Sequence, residues 1–347
     1  MPHALTILQP PVSRPTWAEG PRDLASVRLL RLSITDRCNL RCRYCMPEEG
    51  VPYFQRTDVL SADQILEVAG AARAAGIDHF KITGGEPTVR RDLVDITRRL
   101  AELKPAELSL TTNGLRMDEL AAPLADAGLD RVTFSCDSLQ PDRYRRITRG
   151  RASGEQMLEQ FHAGVAAAEA AGLGRIKINV VVIGGVNEDE VADFARLTLD
   201  RPWTVRFIEY MPLGDATLVD DADTAIVDNV EIRGRIESDL GPVMPVNRDT
   251  EPGVGPAEIY TLSGAAGRLG FISAMSEPFC QRCNRLRLTA RGQLRACLFD
   301  GGEIDLLPML RRGVDTDALI DAMARCVATK PDEHGHRGNR AMSQLGG

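Results

Sequence analysis

Lysine is scarce in this chain: of 42 basic residues among 347, only Lys81, Lys104, Lys177 and Lys330 are lysines. Also missing is any run near the roughly 18 apolar residues that would span a bilayer, which excludes a membrane-crossing helix. No charged leader followed by an apolar core opens the sequence, so a secretory signal is not expected and the thiols should be reduced in the cytoplasm. Nor is there an excess of basic residues. The formal net charge of -7 argues against generic nucleic-acid binding, which needs a basic surface. What remains, at 43% hydrophobic and 26% charged residues, is an ordinary globular composition, long enough for one large α/β domain with an appendage.

The cysteines lack a fourth member twice over. Cys38, Cys42 and Cys45 form C-x-x-x-C-x-x-C just past an expected strand, and Cys280, Cys283 and Cys297 form a second trio far downstream. Structural zinc takes four protein ligands in a tetrahedron, so neither trio suits it. Three thiolates hold a 4Fe-4S cluster with one iron left open for a substrate or cofactor. Cys136 and Cys326 stand alone and read as small buried apolar residues.

Residues 1–27, with five prolines, read as an extended arm. From there strands near 29–35, 79–83, 107–112, 130–137, 175–183 and 204–210 alternate with helical stretches near 61–75, 90–103, 117–127, 154–171 and 187–199. Six β/α units imply a parallel sheet with right-handed crossovers. Each strand alternates polar and apolar residues, as in Arg31, Ser33, Thr35, then Lys81, Thr83, then Thr133, Ser135. One face therefore sits under helices while the other meets water or a ligand. A closed eight-stranded barrel fills its interior with branched apolar side chains. The expectation is thus an incomplete (β/α)6 TIM-like barrel over residues 28–240, with a C-terminal domain over 241–347 that carries the second trio and closes the open side.

Loops after strand C-termini carry the chemistry of such sheets. The first trio, Gly84-Gly85-Glu86-Pro87 and Asn113-Gly114 all fall there. Lys81 and Lys177 sit on the polar face and need an anionic partner, either a ligand or an interior carboxylate such as Glu209. The run Arg143, Arg145, Arg146, Arg149, Arg151 reads as a solvated loop. His334 and His336, in a glycine-rich stretch, read as solvent-exposed.

The first trio with Tyr44 ahead of Cys45, followed by Gly84-Gly85-Glu86-Pro87, resembles the radical S-adenosylmethionine (SAM) superfamily. With Arg31 to Cys38, Thr111-Thr112-Asn113-Gly114, Arg206-Phe207-Ile208-Glu209, Cys283 to Arg287 and Gly346-Gly347 added in order, it resembles the molybdenum cofactor biosynthesis protein A family of GTP 3',8-cyclases. That resemblance implies two 4Fe-4S clusters, on Cys38, Cys42 and Cys45 and on Cys280, Cys283 and Cys297, with SAM chelating the first. It implies SAM contacts from Tyr44, Gly85, Ser135 and Met211. GTP contacts would come from Arg31, Lys81, Thr111, Lys177, Arg285 and Arg287, with guanine on the second cluster. Gly346 and Gly347 would reach into the active site, where GTP becomes 3',8-cyclo-7,8-dihydroguanosine 5'-triphosphate. The family further implies an external electron donor, a homodimer, and hand-off of product to cyclic pyranopterin monophosphate synthase. Two other readings remain: a radical SAM peptide-modifying enzyme with an auxiliary cluster, which usually carries more C-terminal cysteines, and a non-catalytic iron-sulfur or zinc sensor.

Overall fold

Local sequence fixes the helix boundaries of the repeating units. Ser61 and Ser153 each accept from the backbone three residues on, while Gln64 and Gln156 reach back to the caps, so both helix N-termini close with reciprocal bonds. The computed structural model describes residues 21–213, 226–247, 253–299, 302–335 and 342–346; most of the 1–27 arm, His336 and Gly347 lie outside the described residues. In chain order come β1 (Leu29–Ser33), α1 (Ala62–Ala74), β2 (His79–Thr83), α2 (Leu93–Glu102), β3 (Glu107–Thr112), α3 (Met117–Asp126), β4 (Arg131–Ser135), α4 (Pro141–Thr148), α5 (Gly154–Ala170), β5 (Lys177–Val182), α6 (Val191–Asp200) and β6 (Thr204–Glu209).

The arginine run does not form the loop expected for it. It starts on α4, where Pro141 presets the first turn and Arg149 ends the helix in the left-handed conformation. Arg143 pairs there with Asp189 and Glu190 at 2.6 and 2.7 Å.

The six strands pair in parallel and in sequence order. Their apolar positions, including Leu30, Leu32, Phe80, Ile82, Leu110, Val132, Phe134, Ile178 and Phe207, are buried. Phe161 of α5 meets Phe134 edge to face at 5.8 Å, a favoured aromatic geometry. Cys136 and Cys326 are fully buried, as their isolation suggested.

Beyond α7 (Asn229–Leu240) the chain adds β7 (Val243–Pro245), β8 (Glu258–Leu262), β9 (Arg268–Ile272), β10 (Arg285–Leu288), β11 (Gln293–Arg295) and β12 (Ile304–Asp305), then α8 (Leu307–Arg312), α9 (Thr316–Ala328) and α10 (Met342–Leu345). β9 pairs in parallel with β6 and β10 in parallel with β1, so this segment prolongs the barrel sheet at both edges. The result is one open sheet in the order β12-β11-β10-β1-β2-β3-β4-β5-β6-β9-β8-β7. Among the described residues no helix is long and apolar enough to cross a membrane.

Candidate active site

The first cysteine loop follows β1 and is clamped on two sides. Arg41 and Arg43 donate their backbone N–H to Thr148 and Ile147 at the end of α4, at 2.9 and 3.0 Å. On the other side Gly85 N donates to Thr35 O at 2.7 Å and Glu86 N to Arg37 O at 2.8 Å. A Cβ at position 85 would stand 2.5 Å from the Arg37 carbonyl oxygen, so the close packing of these two loops requires glycine there. Burial, Glu86 and Cys45 push Cys38 up to about 12, and burial with Cys45 and Asp137 pushes Cys42 well up. Three half-buried sulfurs within electrostatic reach on one loop fit a cluster, whose iron charge favours the thiolates that burial alone disfavours.

Glu86 is buried and ties the second loop to the third. Its carboxylate accepts from Thr88 N at 3.0 Å, Thr88 Oγ1 at 2.6 Å, Thr112 Oγ1 at 2.7 Å and Asn113 N at 2.7 Å. Glu86→Gln turns an NH2 group toward donors and should destabilise the protein by about 2 kcal/mol. Thermal melting checks this; an unchanged midpoint would contradict it.

The residues expected at SAM converge on the same end of the sheet. Tyr44 is buried and donates its hydroxyl to Asp137 Oδ2 at 2.8 Å, while Val181 N donates to Asp137 Oδ1 at 2.8 Å. Tyr44 packs with Ile147, Ile183 and Tyr210, which brings the start of the post-β6 loop, and with it Met211, toward the cluster loop. Ser135 is the last residue of β4.

The second trio lies at the opposite end of the strands. Cys283 precedes Arg285, which aligns with Leu29 at the start of β1, whereas Cys38 lies past Ser33. Five residues of strand place the two sulfur sets on the order of 16 Å apart along the sheet. Cys280 feels Cys297 and Cys283 electrostatically, so the three thiols share one neighbourhood. For Cys283 burial raises the pKa, but Arg285 and Lys330 outweigh it and bring the thiol down to about 7. This electropositive setting favours thiolate and fits a second cluster.

Between the two ends the polar face carries a row of cations. Arg287, Arg31, Lys81, Ser109 and Arg131 align across β10, β1, β2, β3 and β4, and Lys177 aligns with Thr133, the next inward position of β4. Arg206 on β6, buried, reaches toward Thr133. Arg131 donates Nε to Glu107 Oε2 at 3.1 Å. Burial and like-charged neighbours push four of them down: Arg31 by Arg287, Arg285 and Arg206; Lys81 by Arg131, Arg206, Arg31 and Lys177; Arg206 to about 9 by Arg131; Arg287 to about 9 by Arg285. Like charges side by side on adjacent strands destabilise a sheet, so the arrangement suits a polyanion. Glu209, the alternative interior partner for Lys177, instead accepts from Met275 N at 2.8 Å, Ser276 N at 2.9 Å and Asn229 N at 3.3 Å.

Gly346 enters this chamber. Thr83 Oγ1 donates to its carbonyl at 2.9 Å and Arg31 Nη2 at 3.4 Å. Its φ is +81°, and a Cβ would stand 2.6 Å from the Ser33 Cβ, so only glycine fits.

The structure thus brings Arg31, Lys81, Thr111, Lys177, Arg285, Arg287 and Gly346 to one polar face, with a cysteine trio at each end. Sequence reasoning assigned no role to Arg206, Glu86 or Asp137. Arg206 and Glu86 stood in recognised motifs, and Arg206 continues the inward alternation on β6; Asp137, two residues beyond Ser135, bore the same signal.

An open sheet of β/α units with a three-cysteine loop after its first strand defines a radical SAM enzyme, and the Radical SAM superfamily profile matches residues 32–198. A second profile, Molybdenum Cofactor Synthesis C, matches residues 203–336. The chain belongs to the GTP 3',8-cyclase family. It is 45% identical to the GTP 3',8-cyclase of Pelotomaculum thermopropionicum over 92% of this chain and 98% of that protein. It is 47% identical to that of Moorella thermoacetica over the same shares. Among solved structures it resembles Streptococcus suis SuiB bound to precursor peptide SuiA, with a TM-score of 0.58 at 12% identity over 87% of this chain and 67% of that one. At that identity the likeness concerns the fold alone.

Proposed function

We propose that this chain is a lyase that converts GTP to 3',8-cyclo-7,8-dihydroguanosine 5'-triphosphate in the first step toward the molybdenum cofactor. The observation that carries the reading is the cation row lying between two cysteine trios, one at each end of the polar face. Cys38, Cys42 and Cys45 would hold a 4Fe-4S cluster, which would supply, when reduced, the electron for reductive cleavage of SAM. Tyr44, Gly85, Ser135 and Met211 surround SAM at the C-terminal ends of the strands. Arg31, Lys81, Lys177, Arg206 and Arg287 hold the triphosphate through charge-assisted bonds, with Thr111 beside them. Cys280, Cys283 and Cys297 would hold a second cluster, which would offer an open iron to the purine, and Arg285 would bridge that end to the phosphate row. The two ends then hold the ribose between them, facing the radical source, while the packed sheet excludes water.

An external one-electron donor, a homodimer and transfer of the product to cyclic pyranopterin monophosphate synthase complete this reading. Anaerobic reconstitution with iron and sulfide counts, followed by mass spectrometry of the products of SAM and GTP under reduction, tests it. Iron for a single cluster, or no cyclised nucleotide, would overturn it.

In this proposal Gly346 lines the chamber and the Gly346-Gly347 tail takes part in the reaction. Gly346→Val should leave iron content unchanged and lower turnover at least about 10-fold, or about 1.4 kcal/mol of barrier. Normal turnover would remove the tail from the active site.

A further inference from the structure

His334, expected at the surface, is buried, and the segment 330–335 that carries it is wrapped around the second cysteine trio. His334 is 8% exposed and its backbone N–H bonds to the Cys280 sulfur. Its ring stacks on Phe299, two residues past Cys297, with centroids 4.0 Å apart and planes 7° from parallel. Lys330 Nζ donates to the Cys283 carbonyl at 2.8 Å, and Gln281 Nε2 donates to Asp332 O at 2.9 Å. One short stretch therefore touches the surroundings of all three sulfurs.

The same imidazole reaches back to the barrel. His334 Nε2 lies 2.7 Å from the Ala274 carbonyl, and the next two residues, Met275 and Ser276, donate their N–H groups to Glu209 at the end of β6. Tyr210 follows directly and shares a buried cluster with Tyr44 of the first cysteine loop. A chain of contacts thus runs from Cys280 through His334 and Ala274 to Glu209, whose neighbour Tyr210 belongs to the cluster that holds Tyr44 at the radical-generating end.

We infer that His334 is a positioning residue that holds the second cysteine trio in fixed orientation to the SAM end, so that purine and radical source stay in register. The inference rests on the second-cluster reading of the proposed function. Groups that orient a metal's ligands through hydrogen bonds affect the site nearly as strongly as the ligands. A misplacement near 1 Å between reacting groups is costly even when both partners bind. Between His334 and Glu209 the contact chain runs through the backbone of residues 274–276, so it is stiff there, and the imidazole is the side-chain link that joins this backbone to the second trio.

The test compares reconstituted wild-type protein with His334→Ala and His334→Gln, the latter keeping a donor for the Ala274 carbonyl. The measurements are iron content, the electron paramagnetic resonance spectrum of the reduced second cluster with and without GTP, and the ratio of 5'-deoxyadenosine to cyclised nucleotide. His334→Ala should keep SAM cleavage, alter the GTP-dependent spectral change and raise that ratio by about 10-fold or more; His334→Gln should restore most of the coupling. An unchanged ratio and spectrum in His334→Ala would overturn the inference, as would both variants losing both clusters together, since the residue would then serve folding alone. Wild-type protein with iron and spectra of one cluster only would instead sink the second-cluster reading itself.

Discussion

Cys283→Ala should still cleave SAM under reduction while its formation of cyclised nucleotide falls at least about 1,000-fold, equivalent to about 4 kcal/mol of barrier. Cys38→Ala should lose both activities. The reasoning is positional. Cys283 lies beyond the start of β1 and Cys38 beyond its end, so each trio has its own surroundings and either can be damaged while the other stays intact. Quantifying methionine, 5'-deoxyadenosine and nucleotide from one reaction separates the two outcomes, and equal loss of both activities in Cys283→Ala would contradict the division of labour.

Arg206→Met and Lys177→Met should each weaken GTP binding by about 10- to 100-fold, the range expected for a charge-assisted bond worth about 1.5–3 kcal/mol, while leaving guanosine binding almost unchanged. Calorimetry with both ligands checks this, and equal losses would remove the residue from the phosphate site. The ligand-free protein should respond in the opposite direction for Arg206. Burial and Arg131 push its pKa down to about 9, so the folded state disfavours the charged form that prevails at neutral pH. A neutral side chain of similar length removes that penalty, and the melting midpoint of Arg206→Met without ligand should hold or rise. By the same sign, above about pH 9 the folded state binds less proton here than the unfolded chain, so this residue's contribution to stability rises with pH toward the ordinary arginine range. A binding residue that destabilises the empty protein marks a site shaped for its ligand.

Much of the site was legible because strand alternation has a strict period of two. That period put Arg31, Lys81, Thr111 and Lys177 on one face without any coordinates, and the cysteine spacings flagged both trios. The arginine run misled because its local signal, a dense like charge, is the same on a solvated loop and on the exposed side of a short helix; Pro141 and the apolar Tyr144 and Ile147 decide for helix. His334 misled because its neighbours in sequence are glycine and polar residues, while its neighbours in space, Phe299 and Ala274, come from distant segments. Glu209 was the plausible interior partner for Lys177 by composition, yet backbone N–H groups of the 275–276 turn take its carboxylate.

The sequence by itself determined the repeating β/α units, the polar inner face and the two sets of three thiols, because periodicity and ligand spacing are written along the chain. Only the tertiary structure decided that β10 joins β1 and β9 joins β6, which sets the two trios at opposite ends of one cation-lined face. It also decided that residues 330–335 and Gly346 close on that face. Pairing partners 64 residues apart, as Thr204 and Arg268 are, or 256 apart, as Leu29 and Arg285 are, are chosen by burial and backbone hydrogen bonding across the whole sheet, and no local pattern records them.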